Sequence, residues 1–131
     1  MTIDSAARAA ALGGYTAVVA MPDTDPCVDS AAVVNEVLAL AKGALCHVSP
    51  AAALTVGRQG RYLAPLGELA DLGVRIFTDA GRSLQDTAIA RRAFDYMAGV
   101  PTGGGPALVA ADPCQLDGLA QGAVMHEGEW S

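Results

Sequence analysis

The sequence predicts an α/β fold built from successive parallel strand–helix units, and three observations predict it. Four short β-rich runs, at 15–20, 44–48, 74–78 and 107–111, begin about every 30 residues. The runs are mostly apolar rather than strictly alternating, as parallel strands covered on both faces are. Between the runs lie segments of helical periodicity closed by glycine. Strand and helix alternating at this period give right-handed βα crossovers in one sheet.

The elements follow in order. Asp4 or Ser5 can cap a helix that runs to Leu12 and stops at Gly13-Gly14. The first strand follows, rich in β-branched residues (Thr16, Val18, Val19). From Ser30 to Lys42, the residues Ala31, Val34, Val37, Leu38 and Ala41 recur at helical spacing, and Gly43 ends the run. His47 lies within the second apolar run and reads as a core or strand-end histidine rather than a ligand. A shorter helix over Pro65 to Leu72 is closed by Gly73. Ser83 can cap a helix to Ala98 with Ile89, Ala93, Phe94 and Met97 on one face. Gly103-Gly104-Gly105 precedes a strand, not a helix, and so reads as a connector rather than a phosphate cradle.

Composition excludes several function classes. Eight basic against fourteen acidic residues give a net charge of −6, and the basic residues are dispersed, so nucleic acid is not an expected partner. No apolar run reaches the roughly 18 residues that span a bilayer, so no membrane is expected and a cytoplasmic location is. Cys27, Cys46 and Cys114 form an odd set without C-x-x-C spacing, which argues for reduced, buried thiols.

The strand-to-helix loops are long and polar: Met21 to Pro26, Ser49 to Arg61, and Asp79 to Ser83. Barrel enzymes keep their chemistry on such loops, and no G-x-G-x-x-G follows the first strand to favour a dinucleotide fold. A complete (β/α)₈ barrel takes on the order of 250 residues. Residues 1–131 therefore read as a single partial (β/α)₈ TIM barrel of about four parallel βα units.

Four strings carry a family resemblance: Gly13-Gly-Tyr-Thr16 running on to Met21-Pro-Asp-Thr-Asp-Pro26, Leu63-Ala-Pro-Leu-Gly-Glu-Leu-Ala70, Phe77-Thr-Asp-Ala-Gly81 and His126-Glu-Gly128. They resemble bacterial dihydroorotases of the amidohydrolase superfamily, in order and at family spacing. The resemblance implies that the four strands correspond to barrel strands two to five. It also implies a zinc-dependent cyclic amide hydrolysis in pyrimidine biosynthesis, carried out by the parent family.

Residue by residue, the resemblance implies a deficient site. The family's first-strand His-x-His has no match here. The family's Asn in the Met-Pro-x-Thr loop is Asp23, an anion where an anionic substrate would sit. In Phe77-Thr-Asp-Ala-Gly81 the family's metal-binding second Asp is Ala80, and Ala111 stands where the fifth strand's zinc-binding His is expected. Asp79 and Asp112 remain as weak metal candidates beside their commoner role as loop-capping carboxylates. Asp23 and Asp25 suit Asx-type turn bonding, His126 a structural hydrogen bond, and Arg58 and Arg61 either surface solvation or steering of an anion. No cofactor is expected in this chain, zinc being the family's. The expectations are a truncated dihydroorotase chain, inactive alone, or a non-catalytic homologue acting as a structural partner, for example of aspartate transcarbamoylase. Either reading leaves open sheet edges, so self-association or a partner subunit is expected.

Overall fold

The computed structural model describes residues 2–120. Helix α1 (Ile3–Leu12) is capped by Thr2, two or three residues before the expected Asp4 or Ser5. The Thr2 hydroxyl accepts from the Ser5 N–H at 3.2 Å, and the Ser5 hydroxyl accepts from the Thr2 N–H at 3.0 Å. This reciprocal pair satisfies two otherwise unpaired donors. Asp4 instead receives the Arg8 guanidinium at 2.9 Å within the first turns.

Strands β1 (Ala17–Ala20), β2 (His47–Ala52), β3 (Ile76–Phe77) and β4 (Val109–Ala110) form one parallel sheet in sequence order. Order and direction are those expected; the bounds are not. The second strand starts at His47 and continues through Ser49-Pro50-Ala51-Ala52, residues that sequence reasoning assigned to a loop. Proline signals a strand break because it cannot donate to a ladder. Here Pro50 pairs with Ala20 on one side, and pairing to β3 begins only at Ala51. The N–H that Pro50 lacks is thus not called for on the β3 side.

The sheet has a covered and an open face. Helices α2 (Ala31–Leu40), α3 (Leu66–Asp71) and α4 (Thr87–Gly99) cover one side, burying Val34, Leu66, Leu69, Val74 and Phe77 with Ala52 and Leu54. Fully burying one such large side chain contributes about 1.5–3 kcal/mol. Helix α3 ends where Gly73 takes φ 95, allowing its N–H to reach the Ala70 carbonyl and the Val74 N–H to reach Leu69. Behind β1 and β2, a smaller cluster joins Ala7 to Cys46 and Val48. On the other face, Val19 is 42% and Val109 52% exposed. His47 is exposed there too, its Nε2 3.0 Å from the Ser49 hydroxyl, at a strand end rather than in a core.

Three further expectations are corrected. Helix α4 is capped by Asp86, not Ser83: its carboxylate accepts from the N–H groups of Ala88 (2.8 Å) and Ile89 (3.3 Å). The Ser83 hydroxyl is taken by the Gln115 N–H at 2.9 Å. Ile89, Ala93 and Met97 are buried, but Phe94 is 55% exposed because it turns to the flank of the stripe. Of the cysteines only Cys46 is buried; Cys27 is half-buried and Cys114 exposed, since Cys114 falls in the irregular segment after β4 rather than in an element. A short helix after β4, α5 (Asp117–Ala120), closes the described region, and His126 lies outside it. Among the described residues no helix is long and apolar enough to cross a membrane.

Candidate functional site

Parallel βα units gather the loops after each strand at one end of the sheet, so chemistry-bearing residues distant in sequence meet there. Asp79, directly after the β3 run, is 4% exposed and pinned. One carboxylate oxygen accepts from the N–H groups of Leu54 and Thr55, both at 3.0 Å, and the other accepts the Thr55 hydroxyl at 2.5 Å. The Thr55 oxygen in turn accepts the Gly60 N–H at 2.9 Å. Asp79 is therefore the clasp between the loops following β2 and β3.

A second clasp binds the loop after β1, where the Asp29 carboxylate accepts the Gly57 N–H at 2.8 Å. Sequence reasoning missed both Asp29 and Thr55. Thr55 had one available signal, as the polar residue that closes the apolar run Ala51 to Leu54.

Asp112 forms the third clasp, between the loops after β3 and β4. It accepts from the N–H groups of Leu84 at 2.9 Å and Cys114 at 2.6 Å. Partial burial alone would raise this carboxyl, but those two donors and the Ser83 hydroxyl outweigh it and hold it below its ordinary value. A depressed carboxyl contributes stability above its unfolded pKa, and that contribution is lost as pH falls through the lower folded value. The Leu84 and Cys114 amide NMR signals are thus expected to hold their positions down to about pH 4, the ordinary Asp range. Both should shift together only on further acidification; a common midpoint at or above the ordinary value would contradict the clasp.

Between these clasps the backbone is left-handed at residues other than glycine. Ala80 has φ 34 and Arg58 φ 56. Such conformations favour Asn, Asp or Gly, and an alanine there sits under strain. The methyl of Ala80 offers no donor or acceptor, and Ala111, exposed just after β4, offers none either. Among the described residues, no three His, Cys, Asp or Glu side chains come together as a metal ion would require. The neighbouring carboxylates, Asp79 and Asp112, already spend both oxygens on protein donors. The described residues do not fit a zinc centre.

Asp23 and Asp25 are exposed in the turn after β1. The turn's side-chain hydrogen bond comes from the Thr24 hydroxyl, which donates to the Pro26 carbonyl at 2.7 Å, in place of the expected Asx bonding. Asp23 still belongs to the cluster. Burial first, then Asp29, pushes the Cys27 thiol above its ordinary value; Arg58 opposes, and Asp79 and Asp23 add to the rise. The loops after β1, β2 and β3 therefore share one electrostatic neighbourhood, in which Cys27 stays a protonated, weakly nucleophilic thiol. Beside it Arg58, Arg61 and Arg82 line a cleft of about 530 Å³.

Comparison with known proteins bears on this arrangement. The family model described as "Dihydro-orotase-like" matches residues 1–131. A protein of Sulfurihydrogenibium sp. named dihydroorotase is 39% identical over 128 residues, covering 97% of this chain. Proteins of the same name from Aquifex aeolicus and Streptomyces coelicolor are 38% and 42% identical, over 98% and 97% of the chain. The chain spans 29% of the length of each of these relatives.

Proposed function

The chain belongs to the dihydroorotase-like family, and from that premise we propose that its 131 residues form a barrel segment that does not itself hydrolyse a cyclic amide. Its four parallel strands in one sheet fit a part of the (β/α)₈ barrel. The reaction of the relatives' name, with zinc as the metal, needs several protein ligands around an activated water. One observation carries the reading: Ala80 and Ala111 stand at the ends of β3 and β4, while the adjacent Asp79 and Asp112 are committed to backbone N–H groups. The same carboxylates hold three loops in register, a structural use of residues that sit where catalysis would be expected. Supplying zinc and dihydroorotate to the chain tests the reading, and no turnover is expected.

The open sheet face supports a second element of the proposal, association with a further copy of the chain. Polypeptide of the same kind brings four more parallel strands, and eight is the number that closes this barrel. A partner subunit of different sequence is the other outcome of the same test. Net charge −6 gives no support to nucleic acid as that partner.

A further inference from the structure

We propose that the cleft between the loops after β2 and β3 is an oxyanion-binding site, in which Arg58, Arg61 and Arg82 hold a small carboxylate- or phosphate-bearing molecule. Three arginines line one concavity of about 530 Å³. That volume falls within the roughly 300–1,000 Å³ of small-molecule sites. Like charges gathered this way repel one another, so the arrangement invites an anion between them.

Two of the three arginines are tied to the backbone. The Arg58 guanidinium donates to the Ala80 carbonyl at 3.2 Å, and Arg82 donates to the Arg58 carbonyl at 3.3 Å. Arg58 also sits at φ 56, a costly conformation for a long side chain, of the kind that concentrates where a side chain must be aimed. A guanidinium carries five N–H donors, and these contacts occupy one on each of the two. The ion pairs among the described residues are Arg8 with Asp4 and Arg91 with Asp95, so none of the three cleft arginines is neutralised by a carboxylate within contact distance.

Three aspartates also border the cleft, and their commitments decide the balance. Asp79 faces the Leu54 and Thr55 donors, and Asp86 caps the N–H groups of Ala88 and Ile89. Backbone N–H groups thus engage both carboxylates and offset part of their charge. Asp117 at the rim remains the one lining carboxylate without a described side-chain partner. The Gln115 side chain adds an amide at the same rim. The site stands independently of the proposal on hydrolysis, since its cationic side chains are none of the residues at the family's metal-ligand positions.

Titration calorimetry of the 131-residue chain, with inorganic phosphate in one arm and succinate in the other, tests the site and distinguishes the two oxyanion chemistries. Saturable binding is expected in at least one arm, the tighter arm naming the preferred group. Arg61→Gln with Arg82→Gln, both exposed side chains, is expected to weaken it by about tenfold or more. Arg91→Gln with Arg92→Gln removes the same charge from α4 and is expected to leave binding unchanged. Either single cleft variant gives the same reading should the double variant fold poorly. Failure of both anions to saturate in the millimolar range overturns the proposal. So does equal weakening by the two double variants, which would reduce the effect to net charge.

Discussion

Asp79→Ala is expected to cost about 3–5 kcal/mol, the range for breaking a buried hydrogen-bond network. The residue is 4% exposed and receives two backbone N–H groups and one hydroxyl. Alanine would leave the Leu54 and Thr55 N–H groups without their acceptor. The Thr55 hydroxyl, which also holds the Gly60 N–H, would lose its own anchor. Native domains are stable by only about 5–15 kcal/mol, so the loss would take a large share of the total. Asp79→Asn keeps one carbonyl oxygen for the two N–H groups and is expected to cost less than half as much. Urea unfolding followed by far-ultraviolet circular dichroism measures both. An Asp79→Ala protein within about 0.5 kcal/mol of the unaltered chain, the level of an inert surface change, would show that Asp79 is no clasp.

The second large effect is association. At both edges of the sheet, β1 and β4 carry backbone groups without a strand partner among the described residues. Across the open face Val19 and Val109 stand 42% and 52% exposed, with Met21 at 45% beside them. Burying about 500 Å² of such apolar surface is worth roughly 12 kcal/mol at about 25 cal/mol per Å². The cost of joining two bodies is of similar order, about 4–15 kcal/mol, so pairing becomes favourable once edge hydrogen bonds add to burial. Sedimentation velocity of the 131-residue chain should give a dimer or larger species that grows with concentration. Val19→Asp with Val109→Asp places charge on the open face and should shift the population to smaller species. A monodisperse monomer across micromolar concentrations would mean that the chain closes its own core, and the open half-barrel would have to be abandoned.

How far the sequence could be read follows from which forces act locally. The strand order and helices were legible because apolar runs and glycine stops are written in neighbouring residues. Gly73 and the α2 stripe of Val34 and Val37 behave as their spacing implies. The N-caps were not, because the decision lay elsewhere. Ser83 lost the capping role once residues near 112–115, a strand away, claimed its loop. Pro50 misled for the same reason: whether it breaks a strand depends on which neighbour pairs at that position. At the site, Ala80 and Ala111 could be singled out from the family resemblance alone, since neither side chain carries a donor atom. The clasps of Asp29, Asp79 and Asp112 join residues 24–28 apart, and only the fold brings those partners together. Arg82 likewise reaches Arg58 through a carbonyl 24 positions away.

Turnover by the 131-residue chain decides whether this dihydroorotase-like segment has a working hydrolytic centre. The purified chain would be incubated with dihydroorotate and with carbamoyl-aspartate, with zinc supplied or chelated, and bound zinc would be measured alongside. The expected result is no turnover in either direction and less than one zinc per chain. Hydrolysis abolished by the chelator and restored by zinc would contradict the account. It would show that these residues assemble a metal site without ligands from Ala80 or Ala111.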